Sequence, residues 1–166
     1  MIRLSAVLVS VVLATSVALA DERFLSWHSE IVVEKSGDLL VTETITVRAE
    51  GKEIKRGIFR DLPVQREGKG GLRSTKRFTV LSVKRDGKKE NYVRERIKNG
   101  LRIRIGRAKV FLDPGTYTYE IVYRTGRQLY LEEGREALYW NVNGTEWKFP
   151  ADKVSATVVL PEGIKG

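Results

Sequence analysis

The feature that most constrains the fold of this chain is an alternation of apolar and polar residues with a period of two. It is clearest at 39–47, where Leu39, Val41, Ile45 and Val47 fall on one side and threonines lie on the other. Turn residues interrupt such segments at roughly eight- to twelve-residue intervals, which is typical of β-sandwiches and barrels. The short loops favour antiparallel pairing. We therefore predict an all-β fold, an antiparallel two-sheet β-sandwich of about nine strands.

Turn residues also predict where the chain reverses. A Ser-Gly-Asp turn at Gly37 and Asn-Gly pairs further along the chain, the first at 99–100, each separate two alternating segments. Because Asn-Gly suits a type I′ turn, we expect hairpins at these points, the last one pairing 137–142 with 145–149. Residues 129–135 predict a loop or a single helical turn.

The first twenty residues predict a secretory signal peptide. Arg3 supplies a positive start, 4–17 is almost wholly apolar or small, and 18–20 reads Ala-Leu-Ala, a cleavage pattern. The apolar run is shorter than the roughly 20 residues that span a bilayer, so cleavage is favoured over a retained anchor. We expect a signal peptide at 1–20 and an extracytoplasmic domain at 21–166, on the periplasmic or extracellular face of the cytoplasmic membrane.

Composition excludes several kinds of site. The chain has 166 residues with no cysteine and a single histidine, so it offers no disulfide, thiolate ligand or multi-histidine metal site. It carries 30 Lys and Arg against 21 Asp and Glu, a net charge of +9. For an exported protein this favours an anionic membrane surface, a cell-envelope polymer or an acidic protein as partner over nucleic acid. We expect no cofactor and no metal.

Two arginines surround a Gly-Ile-Phe sequence at 56–60. In an extended segment Arg56 and Arg60 lie on the same side, where their guanidinium groups could grip a carboxylate or phosphate. The alternative is structural: alternation places Glu43 on the apolar face of its strand, and a buried carboxylate needs a partner. Arg56 or Arg60 is the candidate partner, and the structural interpretation is favoured.

Aromatic residues are concentrated at 139–147. If exposed, Tyr139, Trp140 and Trp147 could stack on a sugar ring beside asparagine side chains. If buried, they belong to the core with their polar tips hydrogen-bonded, and this second interpretation is favoured.

Basic residues dominate 84–109, which holds eleven Lys or Arg and three acids. Within it Arg102 and Arg104 alternate with isoleucines, so both arginines are expected on the outer face of a strand. Such a stripe could contact anionic lipid. The alternative is a solvated face whose charge protects an edge strand.

Candidates for catalysis are few. A Ser-His-Asp triad would have to use His28, which lies in a predicted strand. Glu132, Glu133 and Glu136 cluster near Tyr130, but acids in loops are usually solvated. We therefore expect a protein that is not an enzyme, with a hydrolase using these glutamates as a less favoured alternative.

Several motifs resemble, in their order, one family of predicted prokaryotic membrane proteins, domain-of-unknown-function family 2207. They are the signal peptide and residues 37–47, 56–60, 114–123 and 139–144. The resemblance implies an N-terminal extracytoplasmic β-domain, followed in most members by transmembrane helices and a low-complexity tail. Neither follows in this sequence, so we expect a fragment or a short soluble member. The family supplies no catalytic residue to carry over.

Two functional hypotheses follow. The first is a non-catalytic binding or interaction domain, a sensor or scaffold of a membrane protein, with Arg56, Arg60, Arg102 and Arg104 as candidate contacts. The second is a cell-wall or carbohydrate-binding domain that uses the aromatic residues.

Overall fold

The computed structural model describes residues 21–163 except for 68–72, 99, 127, 133 and 145–148. The predicted signal peptide at 1–20 lies outside the described residues. Within them every regular element is a β-strand, which confirms the all-β class. The described strands number thirteen rather than about nine, because several have only two to four residues and show no alternation. They are β1 Arg23–Val33, β2 Leu39–Ala49, β3 Gly57–Leu62, β4 Gln65–Glu67, β5 Arg73–Thr75, β6 Phe78–Arg85, β7 Lys88–Lys89, β8 Tyr92–Ile97, β9 Gly100–Gly106, β10 Gly115–Thr125, β11 Leu129–Glu132, β12 Arg135–Leu138 and β13 Val154–Val159.

The larger sheet contains six strands in the order β13-β1-β2-β10-β6-β7. Its pairs are antiparallel except β1 with β13, which run parallel. The predicted hairpin around Gly37 is confirmed as β1–β2, and Gly37 takes a φ of +79°, which a residue without a Cβ adopts readily. β2 and β10 are in register over eleven residues, from Leu39 opposite Thr125 to Ala49 opposite Gly115.

The smaller sheet contains β3, β9 and β8, in that order. The predicted pairing of the segments on either side of 99–100 is confirmed as β8–β9. The turn lies one residue earlier than predicted, because Gly100 is already paired with Ile97 and does not have the positive φ of a type I′ turn. At the other end of β9, Gly57 faces Gly106 across the strand pair. A Cβ on Gly57 would lie 1.9 Å from the carbonyl oxygen of Ile105, and a Cβ on Gly106 would lie 1.9 Å from that of Arg56, so only glycine fits this approach.

The core lies between these two sheets, as in a sandwich. Inward side chains of the larger sheet, Trp27, Ile45 and Ile121 among them, form one buried cluster with Ile58 and Ile103 of the smaller sheet. Full burial of such a side chain contributes about 1.5–3 kcal/mol. The alternation recognised in the sequence therefore marks the face on which the two sheets meet.

The prediction for 129–135 is wrong. This segment is half of a hairpin in which β11 pairs with β12, and Gly134 turns the chain with a φ of +80°. Within this hairpin Leu138 lies opposite Leu129. The expected second half of the last hairpin, 145–148, lies outside the described residues.

Candidate binding cleft

An ion pair joins the two sheets through the core. Glu43 of β2 is 0% exposed and Arg60 of β3 is 2% exposed. Arg60 donates from Nε to Oε2 and from Nη2 to Oε1 of Glu43, both at 2.7 Å. This is the bidentate geometry in which guanidinium and carboxylate interact most strongly. The partner of Glu43 is thus Arg60, and the pair belongs to the interior.

Neighbouring groups complete the hydrogen bonds of this pair. Tyr123 of β10 donates its hydroxyl to Oε1 of Glu43 at 2.8 Å, and Arg60 also donates to the carbonyl oxygens of Asp61 and Val142. The guanidinium carbon lies 5.0 Å from the centre of the Trp27 ring, a cation–π distance. A buried charge pair is tolerated when its remaining donors and acceptors are satisfied in this way.

The pKa directions agree with this arrangement. Burial lowers the pKa of Arg60, but the adjacent Glu43 carboxylate outweighs that effect and raises the pKa above its usual value. Burial and the same carboxylate raise the pKa of Tyr123 well above 10. Arg60 therefore stays charged and Tyr123 stays protonated as a donor over the physiological range.

Arg56 does not take part, so the expectation that the two arginines share one side is wrong. Arg56 is exposed, and its guanidinium carbon lies 4.1 Å from the centre of the Phe111 ring. The physical reason is Gly57, whose φ of +138° breaks the regular alternation between the two positions. β3 begins only at this glycine.

A cleft of about 500 Å³ opens beside the Arg60 end of the pair. Tyr139 stands at it with 78% of its surface exposed, and Trp140 and Asn141 follow along the same segment. The indole nitrogen of Trp140 is buried and has no hydrogen-bond partner among the described residues. Trp147, the third aromatic candidate, lies outside the described residues. The cleft thus brings together Arg60 and two of the three aromatic candidates.

The rest of the cleft comes from residues that the sequence analysis did not propose as binding residues. Lys76 Nζ is hydrogen-bonded to Oε1 of Gln128, and Gln128 donates to the hydroxyl of Thr125. Phe78 and Tyr130 add aromatic surface. Among the described residues, none of those lining the cleft is an Asp or Glu, so its charged groups are cations. Pro63, Leu62, Val64 and Tyr123 complete the lining.

Of the candidate hydrolase residues, Glu136 is not among the described residues that line this cleft. Glu136 is exposed on β12, Glu132 ends β11, and Glu133 lies outside the described residues. His28 Nδ1 lies 2.9 Å from the hydroxyl of Ser155, its neighbour on β13. In the described part of the chain, no three His, Asp or Glu residues lie close enough together to hold a metal ion.

Arg102 and Arg104 lie on the outer face of the smaller sheet, each beside an acid. Arg102 makes two contacts with Asp61, at 2.6 and 2.7 Å, and Arg104 Nε lies 3.0 Å from Glu95. Both pairs are partly exposed. Because each arginine has a carboxylate beside it, the stripe presents less net positive charge than its own sequence suggests.

Residues 24–166 match a family described as "Predicted membrane protein (DUF2207) N-terminal domain". The chain belongs to this family. A curated relative is the "Uncharacterized protein YciQ" of Escherichia coli strain K12, 29% identical over 138 residues. That match covers 81% of this chain but 21% of the relative, so the chain corresponds to about a fifth of its length. Among the described residues of this family member, no helix is long and apolar enough to cross a membrane.

Solved structures share only a loose likeness with this family member. Native yeast LTA4 hydrolase is 19% identical with a TM-score of 0.47, covering 64% of this chain and 15% of that protein. An M1 zinc metallopeptidase from Deinococcus radiodurans is 17% identical with a TM-score of 0.43, covering 65% and 21%. Likeness at this level carries no argument about activity.

Proposed function

We propose that this chain is a non-catalytic, extracytoplasmic binding domain of a membrane protein, and that its aromatic cleft holds a saccharide segment of a cell-envelope polymer. The observation that carries the proposal is the cleft itself, with the exposed Tyr139 beside Trp140 and Asn141. Membership of a family of predicted membrane proteins supports the setting.

The chemistry of the lining fits a sugar. The C–H face of a pyranose is apolar and stacks on aromatic rings, while its hydroxyls need amide partners such as Asn141 and Gln128. Lys76 adds a cation at the same cleft. The described lining residues include cations and no carboxylate, which favours a negatively charged saccharide.

The same lining argues for binding over hydrolysis. Glycosidases use a pair of carboxyl groups on either side of the scissile bond, one acting as an acid. The described lining offers amides, aromatic rings and cations instead. A ligand would be held and released unchanged, which suits a sensor or scaffold.

The test is a titration of the purified chain with soluble cell-wall glycan fragments, in which binding is monitored by tryptophan fluorescence. We expect a saturable change, because Trp140 lines the cleft. Tyr139→Ala should weaken binding about tenfold, since an aromatic contact is worth about 1–1.5 kcal/mol.

The matched control is Phe111→Ala, which removes an exposed aromatic ring that is not part of the cleft lining. It should bind fragments as the parent does. Indole emission that responds to no fragment, or equal binding by parent and Tyr139→Ala, would contradict the proposal.

A further inference from the structure

The β9–β10 loop, residues 107–114, exposes two neighbouring apolar side chains, Val110 and Phe111, which together form an apolar tip. Val110 is 45% exposed and Phe111 63% exposed, whereas the next residue, Leu112, is buried. The loop is held at both sides: the Leu112 amide donates to the Lys55 carbonyl and the Gly106 amide to the Asn91 carbonyl, both at 2.8 Å. A fixed backbone therefore keeps two large apolar side chains in contact with solvent.

Cations surround this tip. Arg107 and Lys109 belong to the loop, and Lys55 and Arg56 lie beside it; all four are exposed. Arg56 stacks on the Phe111 ring. Residues 53–56 and 107–113 contain these four cations and two acids, Glu53 and Asp113, and Arg107 also lies 3.9 Å from Glu90. The surroundings of the tip are thus positively charged.

The apolar surface continues onto the smaller sheet. Phe59 and Val93, both exposed, lie on either side of Arg104 in the register of the strands. A groove of about 210 Å³ includes these three residues together with Arg56, Arg107 and one acid, Glu53. One continuous surface therefore combines apolar and cationic groups.

We propose that this surface contacts anionic lipid, with Val110 and Phe111 entering the headgroup region. Apolar side chains surrounded by Lys and Arg are the composition of interfacial membrane anchors. A protein partner would leave the cations needing matched acids, whereas anionic headgroups supply negative charge over the whole surface. Arg102 is less suited to this lipid contact than the tip, because it is already paired with Asp61.

Strand register gives the contact a direction. The tip precedes Gly115, which lies opposite Ala49, whereas the cleft includes Thr125, which lies opposite Leu39 at the other end of β2 and β10. Ten strand steps separate the two ends by about 33 Å. A domain resting on its tip would present the cleft away from the bilayer.

The experiment is co-sedimentation of the full chain with phosphatidylcholine vesicles, with and without about one third phosphatidylglycerol. The parent should bind the anionic vesicles preferentially. Phe111→Ser and Lys109→Glu should each weaken that binding roughly tenfold, through lost apolar burial and reversed charge. Both positions are exposed, so thermal unfolding should match the parent.

Lys35→Glu is the matched charge control, since Lys35 is exposed in the β1–β2 turn at the cleft end of the sheet. Lys35→Glu should bind the vesicles as the parent does. In a separate measurement, bromine-labelled anionic lipid should quench the tryptophan fluorescence of F111W more than that of the parent. No vesicle binding by the parent would overturn the proposal and point to a protein partner. Equal losses in Lys35→Glu and Lys109→Glu, or no added quenching in F111W, would overturn it as well.

Discussion

Each face of β3 carries an ion pair between an arginine and a carboxylate, one pair in the core and the other in contact with solvent. Arg60 points inward and meets Glu43 at 2.7 Å, with both side chains almost fully buried. Its neighbour Asp61 points outward and meets Arg102 at 2.6 Å, with both side chains about one third exposed. The two contacts are nearly equal in length, so distance alone does not rank them.

Burial separates the two pairs energetically. Water screens the outer pair and can replace either partner, whereas the inner charges have given up their hydration and depend on one another. Glu43 also accepts from Tyr123, so three strands, β2, β3 and β10, meet at one carboxylate. The inner pair therefore fixes how the two sheets pack, while the outer pair only joins two strands of the smaller sheet at its surface.

The largest effect should come from leaving Glu43 without its arginine. Arg60→Met removes both 2.7 Å contacts and leaves an uncompensated carboxylate in the core. We expect a loss of about 3–5 kcal/mol in the free energy of unfolding. Urea denaturation of parent and variant measures it.

A double variant sharpens that test. In Glu43→Leu with Arg60→Met both charges are gone, so the loss should be much smaller than in Arg60→Met alone. Tyr123 then keeps a hydroxyl without an acceptor, which limits the recovery. A single variant that loses less than about 1 kcal/mol would show that the pair is hydrated in solution.

Glu22 offers an intermediate case, a mostly buried carboxylate held by backbone amides. It accepts from the amides of Glu50, Lys52, Glu53 and Ile54 at 2.6–3.2 Å. Desolvation would raise its pKa, but the four donors lower it below the ordinary 4.5. The stability it contributes is therefore fully present above pH 4.5 and is lost as the pH falls through the lowered pKa.

Glu22→Gln tests this by chemical denaturation from pH 6 down to about pH 3. The parent should lose stability over that range more steeply than the variant, which has no proton to gain at residue 22. Parallel pH profiles for the two proteins would show that the amides do not favour the ionised form.

The sequence predicted those features of the ion pair that depend on the alternation of residues within one strand. Alternation in β2 predicted that Glu43 would face the core and need an arginine. It could not choose Arg60 over Arg56, because that choice depends on Gly57, whose φ is set by the close approach of Gly106 on another strand. An interaction between distant strands leaves no local pattern.

The cleft and the basic stripe show the same limit. Arg60, Lys76, Gln128 and Tyr139 come from four separate segments, and only the fold brings them together. Arg102 has Asp61 opposite it through the register of β3 with β9, which the sequence of one strand cannot specify. The aromatic residues were visible in advance, but their position beside a cleft was not.

The smallest effect should come from the outer pair. Arg102→Gln removes two short contacts with Asp61 and a guanidinium 5.0 Å from the Phe59 ring centre, yet both partners stay in reach of water. We expect a loss of about 0.2–1 kcal/mol in the free energy of unfolding, near the upper end because the contact is bidentate.

Salt distinguishes the outer pair from the inner pair. At 1 M the screening length falls to about 3 Å, so the loss of stability in Arg102→Gln should shrink while that in Arg60→Met persists. Denaturation at low and high NaCl compares them, and a salt-independent loss above about 2 kcal/mol would mean that the outer pair is as structural as the inner one.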